Sequence, residues 1–99
     1  MIIYSVEILI SKHVSEKWVQ WMHTKHIPDV MNTGLFLQFK VYKNWKTNNK
    51  VSYIIQYRTD RLIKYLQYVE KYAKKLQEEH SKKFKSQFSA TRSLFIQIH

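Results

Sequence analysis

Four stretches of this chain alternate their apolar side chains with a period of two, two others carry a helical period, and the order in which they occur constrains the fold more than any single motif. From Ile2 to Ile10, Ile2, Tyr4, Val6, Ile8 and Ile10 share one face while Ile3, Ser5, Glu7 and Leu9 share the other, as in a strand with one buried side. A helix is expected from Ser15, an N-cap with Glu16 in the first turn, and Val14, Trp18, Trp21, Met22 and Lys25 keep helical spacing. Pro28 should end or bend it, because proline lacks an N–H and restricts Ile27, although it can open a new turn running to Asn32. Gly34 suits a left-handed stop. A second strand is expected from Leu35 to about Trp45, with Leu35, Leu37, Phe39 and Val41 on one face and Phe36, Gln38, Lys40 and Tyr42 on the other. The third, Val51 to Thr59, sets Val51, Tyr53, Ile55 and Tyr57 against Ser52, Ile54, Gln56 and Arg58, and the Asn-rich KTNNK between the two reads as a hairpin turn.

Asp60 should cap a second helix with a buried stripe of Leu62, Leu66, Val69, Ala73 and Leu76, flanked by Tyr65 and Tyr72. Continued to Phe88, that helix would run ~43 Å, against ~30 Å for a nine-residue strand. A break is therefore expected near Leu76 to Glu79, followed by a short segment with His80, Phe84 and Phe88 at every fourth place. A last strand from Ala90 to Ile98 opposes Leu94, Ile96 and Ile98 to Ser93, Phe95 and Gln97. The order βαββαβ is that of an α+β ferredoxin-like sandwich: one domain over residues 1–99, a four-stranded antiparallel sheet, both helices on one face.

The sheet's second face mixes Ile3, Leu9, Phe36, Tyr42, Ile54 and Phe95 with Glu7, Gln38, Lys40, Gln56, Arg58 and Ser93, too apolar for a solvated surface and too polar for a core. A second copy's sheet laid over it, enclosing a partly wet pocket, suits such a face. The 7 Tyr, 5 Phe and 3 Trp in 99 residues also exceed what one small sheet and two helices hide, which points to self-association. Once covered, Glu7 and Arg58 must pair or bind a ligand, since a lone buried charge is too costly. Glu7, Lys40, Gln56, Arg58 and Ser93 are thus candidate ligand-binding residues.

Trp18 to Phe36 holds the only Pro, the only Gly, two of the three Trp and two of the five His. Beside a bent helix end His26 is the candidate catalytic residue, with Asp29 as its partner or as a first-turn carboxylate; the structural alternative is an imidazole capping helix carbonyls. Trp18, Trp21 and Met22 read as packing. No metal or cofactor is expected: His23 and His26 are three apart, no HExxH occurs, His13, His80 and His99 are scattered, and there is no Cys. Without Cys, a basic leader or an apolar run of the ~20 residues a membrane helix needs, the chain is expected to be cytoplasmic with no membrane partner.

The net charge of +10 is unevenly placed. Residues 1–34 balance, residues 35–59 carry five basic groups and no acid, and residues 60–88 carry eight basic groups against four acids, mostly where a helix meets water. Solubility explains such lysines more simply than nucleic acid does. The RNA-recognition fold shares this strand order, but KVSYIIQY puts Val51 where its Gly belongs and Ser52 and Ile54 where its stacking rings belong, leaving nucleic acid only unspecific lysine contact.

With MIIYSV, VSYIIQYR and HSKKF, the pattern W-x-x-W-M-x-x-x-H-I-P-D-V-x-x-T-G-x-F over Trp18 to Phe36 resembles a family of small bacterial proteins, domain of unknown function 4286. The family is in turn similar to the dimeric α/β-barrel group, with its small oxygenases and EthD-like proteins in which a His two places before a Pro closes the first helix. The resemblance implies a homodimer whose sheets form a barrel, and it brings no assigned catalytic residues. Two functions follow as expectations: a homodimeric barrel with a small interior pocket for an organic ligand or cofactor-free chemistry, or a non-enzymatic dimeric interaction module.

Overall fold

In the computed structural model, which describes residues 1–44 and 50–99, strand β1 (Ile2–Ser11) occupies an inner position of a four-stranded antiparallel sheet. It pairs with β3 (Lys50–Thr59) on one side and β4 (Phe88–Ile96) on the other, and β2 (Gln38–Lys43) adds outside β3, giving the order β2-β3-β1-β4. Helix α1 covers residues 15–31 and helix α2 residues 62–83. Both lie on the face of Tyr4, Ile8, Tyr53, Ile55 and Tyr57, which form one core with Trp18, Met22, Ile27 and Val30 of α1 and Tyr68, Ala73 and Leu76 of α2. The expected alternation of β1 and β3 is observed, since Ile2, Tyr4, Ile8, Ile10, Val51, Tyr53, Ile55 and Tyr57 are buried. The KTNNK turn falls largely on residues 45–49, outside the described residues.

Pro28 does not end α1. The helix consists of an α-helical run Ser15–Trp21, a π-turn Met22–His26 and a second α-helical run Ile27–Met31 with proline in its first turn. The Ile27 N–H reaches back five residues to the Met22 carbonyl, and widening the turn ahead of Pro28 takes up the ring that would clash with a regular helix. Ser15 is the first helical residue, not the cap; Val14 holds that place, and the Ser15 hydroxyl donates to the Lys12 carbonyl at 2.8 Å. Gly34 has φ +76°, and a Cβ there would meet nothing within 4 Å. Gly34→Ala should therefore cost only the left-handed backbone penalty, about 1–2 kcal/mol, read as a lower thermal midpoint with an unchanged fold by circular dichroism.

Four further expectations fail, the first three for packing reasons. Strand β2 starts at Gln38, so Phe36 lies in the preceding loop and turns into the core against Tyr57 and Tyr68, whereas Leu37, Phe39 and Val41 stay exposed on an edge the helices do not cover. Helix α2 has no break at Leu76 to Glu79: it carries a π-turn at Val69–Ala73, runs on to Lys83 and reaches ~33 Å, matching its ten-residue neighbour β3 by ending early. Phe88 consequently belongs to β4. The first half of the α2 stripe is also rotated: Ala73 and Leu76 are buried as expected, but Tyr68 takes the inward place of Leu62, Leu66 and Val69, which face outward. Large rings filled the space over Tyr4, which touches Tyr65 and Tyr68, and they turned the helix accordingly. Asp60 does not cap α2; Arg61 stands at that place, and Asp60 pairs with Lys64 at 3.0 Å.

Candidate functional site

The candidate residues separate into two groups on opposite sides of the sheet. On the helix side, the π-turn of α1 aims His26 toward α2. Its ring lies 5.3 Å from Trp21 and 5.6 Å from His80, and its Nδ1 is buried with no hydrogen-bond partner. The helix continues past it, so His26 caps no helix end. Asp29 is held by Lys25 at 2.6 Å rather than by His26. Burial lowers the His26 pKa to about 4, with Arg92 and Lys25 acting the same way and Asp29 opposing them.

His80 joins this cluster, and the helical period of four that links it to Phe84 was the only sequence sign of it. It is buried beside Phe84 and edge-on to Phe88, with ring centroids 4.1 Å apart in the latter pair. The Trp18 indole Nε1 donates to His80 Nε2 at 2.8 Å, tying α1 to α2. An indole N–H only donates, so His80 Nε2 must hold a lone pair and the proton of the neutral ring sits on Nδ1. Burial, then the neighbouring His26, then Arg92 lower its pKa to about 4. Arg92, opposite Val6 in β4, is the other residue that the sequence reading passed over; it works against the rise that burial imposes on the Tyr4 phenol. Two neutral imidazoles beside two indole rings can exchange a proton with a bound molecule, but the shell around them is packed. His23 points elsewhere: with Trp18, Met22, Phe39 and Val41 it lines a slot of about 340 Å³ between α1 and β2.

The second group lies on the bare face of the sheet, in rows set by the register. Lys40, Gln56, Ser5 and Ser93 form one row across all four strands; Gln38, Arg58, Ile3 and Phe95 form the next, and Tyr42, Ile54, Glu7 and Thr91 the row on the other side. Phe36 is missing from this face, having turned into the core. Arg58 donates through Nη2 to the Gln97 Oε1 at 2.5 Å and leaves its buried Nε unpartnered. Glu7 is exposed, and the rows of Glu7 and Arg58 are about 13 Å apart along β1, so the two charges do not meet within one chain. Lys40 and Gln56 are direct cross-strand neighbours, with Arg58 one row away and Ser93 two strands beyond Gln56.

Among the described residues no three His, Asp or Glu side chains gather closely enough to hold a metal ion, and no helix is long and apolar enough to cross a membrane. A sequence-family model, Domain of unknown function (DUF4286), matches residues 1–98. The chain belongs to this family. No protein of curated function is similar to it in sequence. Solved structures share the fold of this DUF4286 protein at low identity. A dimeric ferredoxin-like protein from an uncultured marine organism has a TM-score of 0.69 at 13% identity, covering 100% of this chain and 96% of its own. An ethyl tert-butyl ether degradation (EthD) family protein from Bacillus halodurans has 0.68 at 12%, covering 99% and 100%. SnoaB, a cofactor-independent oxygenase from Streptomyces nogalater, has 0.66 at 7%, covering 99% and 94%. At such identities these likenesses establish a ferredoxin-like α+β fold and leave activity to be argued from the chain's own residues.

Proposed function

We propose that two copies of the chain pack bare sheet face against bare sheet face and enclose a pocket for a small organic molecule, with Arg58, Lys40, Gln56, Ser93 and Glu7 of each copy as its polar lining. One observation carries the reading: no helix covers this face, yet it presents Phe95 and Tyr42 at 51% and 46% exposure in the same cross-strand rows as Arg58 and Glu7. Apolar area of this kind is stabilised by removal from water, and interleaved polar groups need partners once water has gone. Both outer strands end in open edges, and Ile96 and Ile98 of the C-terminal strand and tail are 67% and 83% exposed. The solved neighbour described as a dimeric ferredoxin-like protein supports the pairing. Lys40 and Arg58 against Glu7 give the face a net positive charge, which favours an organic anion.

Sedimentation equilibrium should return twice the 12.1 kDa chain mass, and Phe95→Glu should return the single mass. A concentration-independent 12.1 kDa species in the unaltered protein would refute the pairing. Native mass spectrometry of the dimer should show a small-molecule adduct that Arg58→Ala removes; a dimer without an adduct would instead favour the interaction module. Chemistry at His26 is a second reading, favoured by its unpartnered Nδ1. That reading needs a molecule on the helix side of the sheet, across from the Arg58 face, so its adduct should survive Arg58→Ala while His26→Ala should block its turnover.

A further inference from the structure

The rotation of α2 leaves Leu62, Ile63, Leu66 and Val69 outward at 46%, 49%, 49% and 45% exposure, a contiguous set at helical spacings of three and four. They lie on the helix layer's outer surface, the side of the molecule away from the bare sheet face, so pairing of two sheets cannot cover them. Contiguous exposed aliphatic side chains on a small domain mark a contact surface. The helix continues from this patch into Lys71, Lys74 and Lys75, all exposed, and from Val69 an open groove of about 720 Å³ runs along α2 past Lys74, Lys82 and Lys85, with Glu78 the one acid on its wall.

This charge pattern chooses among partners. In a two-fold contact residue i meets residue j of the other copy, and the residues flanking the patch, Arg61, Lys64, Lys71, Lys74 and Lys75 against Asp60 and Glu70, are net positive, so two copies joined there would repel. Protein interfaces favour aromatic and Arg anchors and are poor in Lys, whereas the patch is aliphatic with lysine beside it and Tyr72 at its edge. Aliphatic side chains on an amphipathic helix, with lysines alongside, are what an anionic lipid surface takes up: the side chains enter the acyl boundary and the ammonium groups stay among the headgroups. We propose that the outer face of α2 docks on an anionic lipid bilayer, with Leu62, Ile63, Leu66 and Val69 inserting and Lys71, Lys74, Lys75, Lys82 and Lys85 meeting the headgroups. The docking is peripheral and needs no spanning segment, and it stands whether or not two sheets pair.

The full-length protein should co-sediment with vesicles of phosphatidylcholine containing about 30% phosphatidylglycerol, should ignore pure phosphatidylcholine, and should release as salt is raised. Ile63→Glu with Leu66→Glu should abolish sedimentation; both positions are exposed, and circular dichroism checks that the fold is kept. Removing Lys71, Lys74 and Lys75 as alanines should weaken binding about five-fold for each. Lys12→Glu with Lys17→Glu lowers the net charge away from the patch and should leave binding within about two-fold. No sedimentation with the anionic vesicles overturns the proposal, and so would an Ile63/Leu66 variant that binds as before, or a Lys12/Lys17 variant that loses as much as the patch variants. Capture of an acidic protein without vesicle binding would likewise overturn it and assign the patch to a protein partner.

Discussion

Trp18→Ala should cost about 3–5 kcal/mol of folding stability, read as a lower urea midpoint at pH 7.5. Trp18 is 1% exposed, stacks against Tyr53 with centroids 4.9 Å apart, and bonds His80 through its indole. Truncation removes the ring, leaves a cavity where both helices meet β3, and strips the buried His80 Nε2 of its donor. Net stabilities of domains this size are typically ~5–15 kcal/mol, so the loss would remove much of the total. Trp18→Phe separates the two contributions. It keeps most of the apolar volume and deletes the donor, at about 1–3 kcal/mol for the orphaned acceptor. Because the indole N–H favours neutral His80, the same variant should raise the His80 pKa, which an NMR titration of its ring protons would follow. An unmoved titration would mean that the 2.8 Å bond does not govern the protonation of His80.

Acid should destabilise the protein well before its carboxylates protonate. His26 and His80 each titrate near 4 when folded, because burial penalises the imidazolium, and near 6.5 when unfolded. Between those values the unfolded chain binds more protons than the folded one, so stability rises with pH through this window. The contribution is complete above about pH 6.5 and is lost as pH falls to about 4, amounting to roughly 3 kcal/mol for buried His80 and less for half-buried His26. Around the pair stand Arg92 from β4 and Lys25 from α1, which oppose protonation, and Asp29, which assists that of His26. Asp60, whose carboxyl is held below its usual value by Lys64, acts only at lower pH. Urea midpoints between pH 7.5 and 4.5 should fall steeply for the unaltered protein and less so for His80→Gln. Equal slopes would show that His80 is not the group being protonated.

The alternation of β1 and β3 was legible because each of these inner strands has one face packed against the helices, with only Val6 partly exposed, and a period-two signal then has little to compete with. Both outer strands were misread in part. Sequence pattern assigns apolar residues to a core, but Phe39, Val41, Leu94 and Ile96 lie at the margins of the helix layer and stay exposed. Helix existence was readable from spacing and helix phase was not. Pro28 was absorbed by a π-turn, and the Tyr rings over Tyr4 rotated α2 by enough to turn Leu62 and Leu66 outward.

The candidate site divides in the same way. Residue type singled out His26 by its place before Pro28, and alternation put Glu7, Lys40, Gln56, Arg58 and Ser93 on one face, a placement that depends only on local period. His80 and Arg92 were invisible beside them because they stand 54 and 66 positions after His26 in the chain, and no local pattern encodes such a contact. The sequence by itself determined the order of elements, the two faces of the sheet and membership of the family, since each follows from short-range spacing and residue type. Only the tertiary structure decided which helix face turns inward, which histidines meet and which apolar residues stay exposed, because these depend on how large side chains share a volume that no stretch of the chain defines alone.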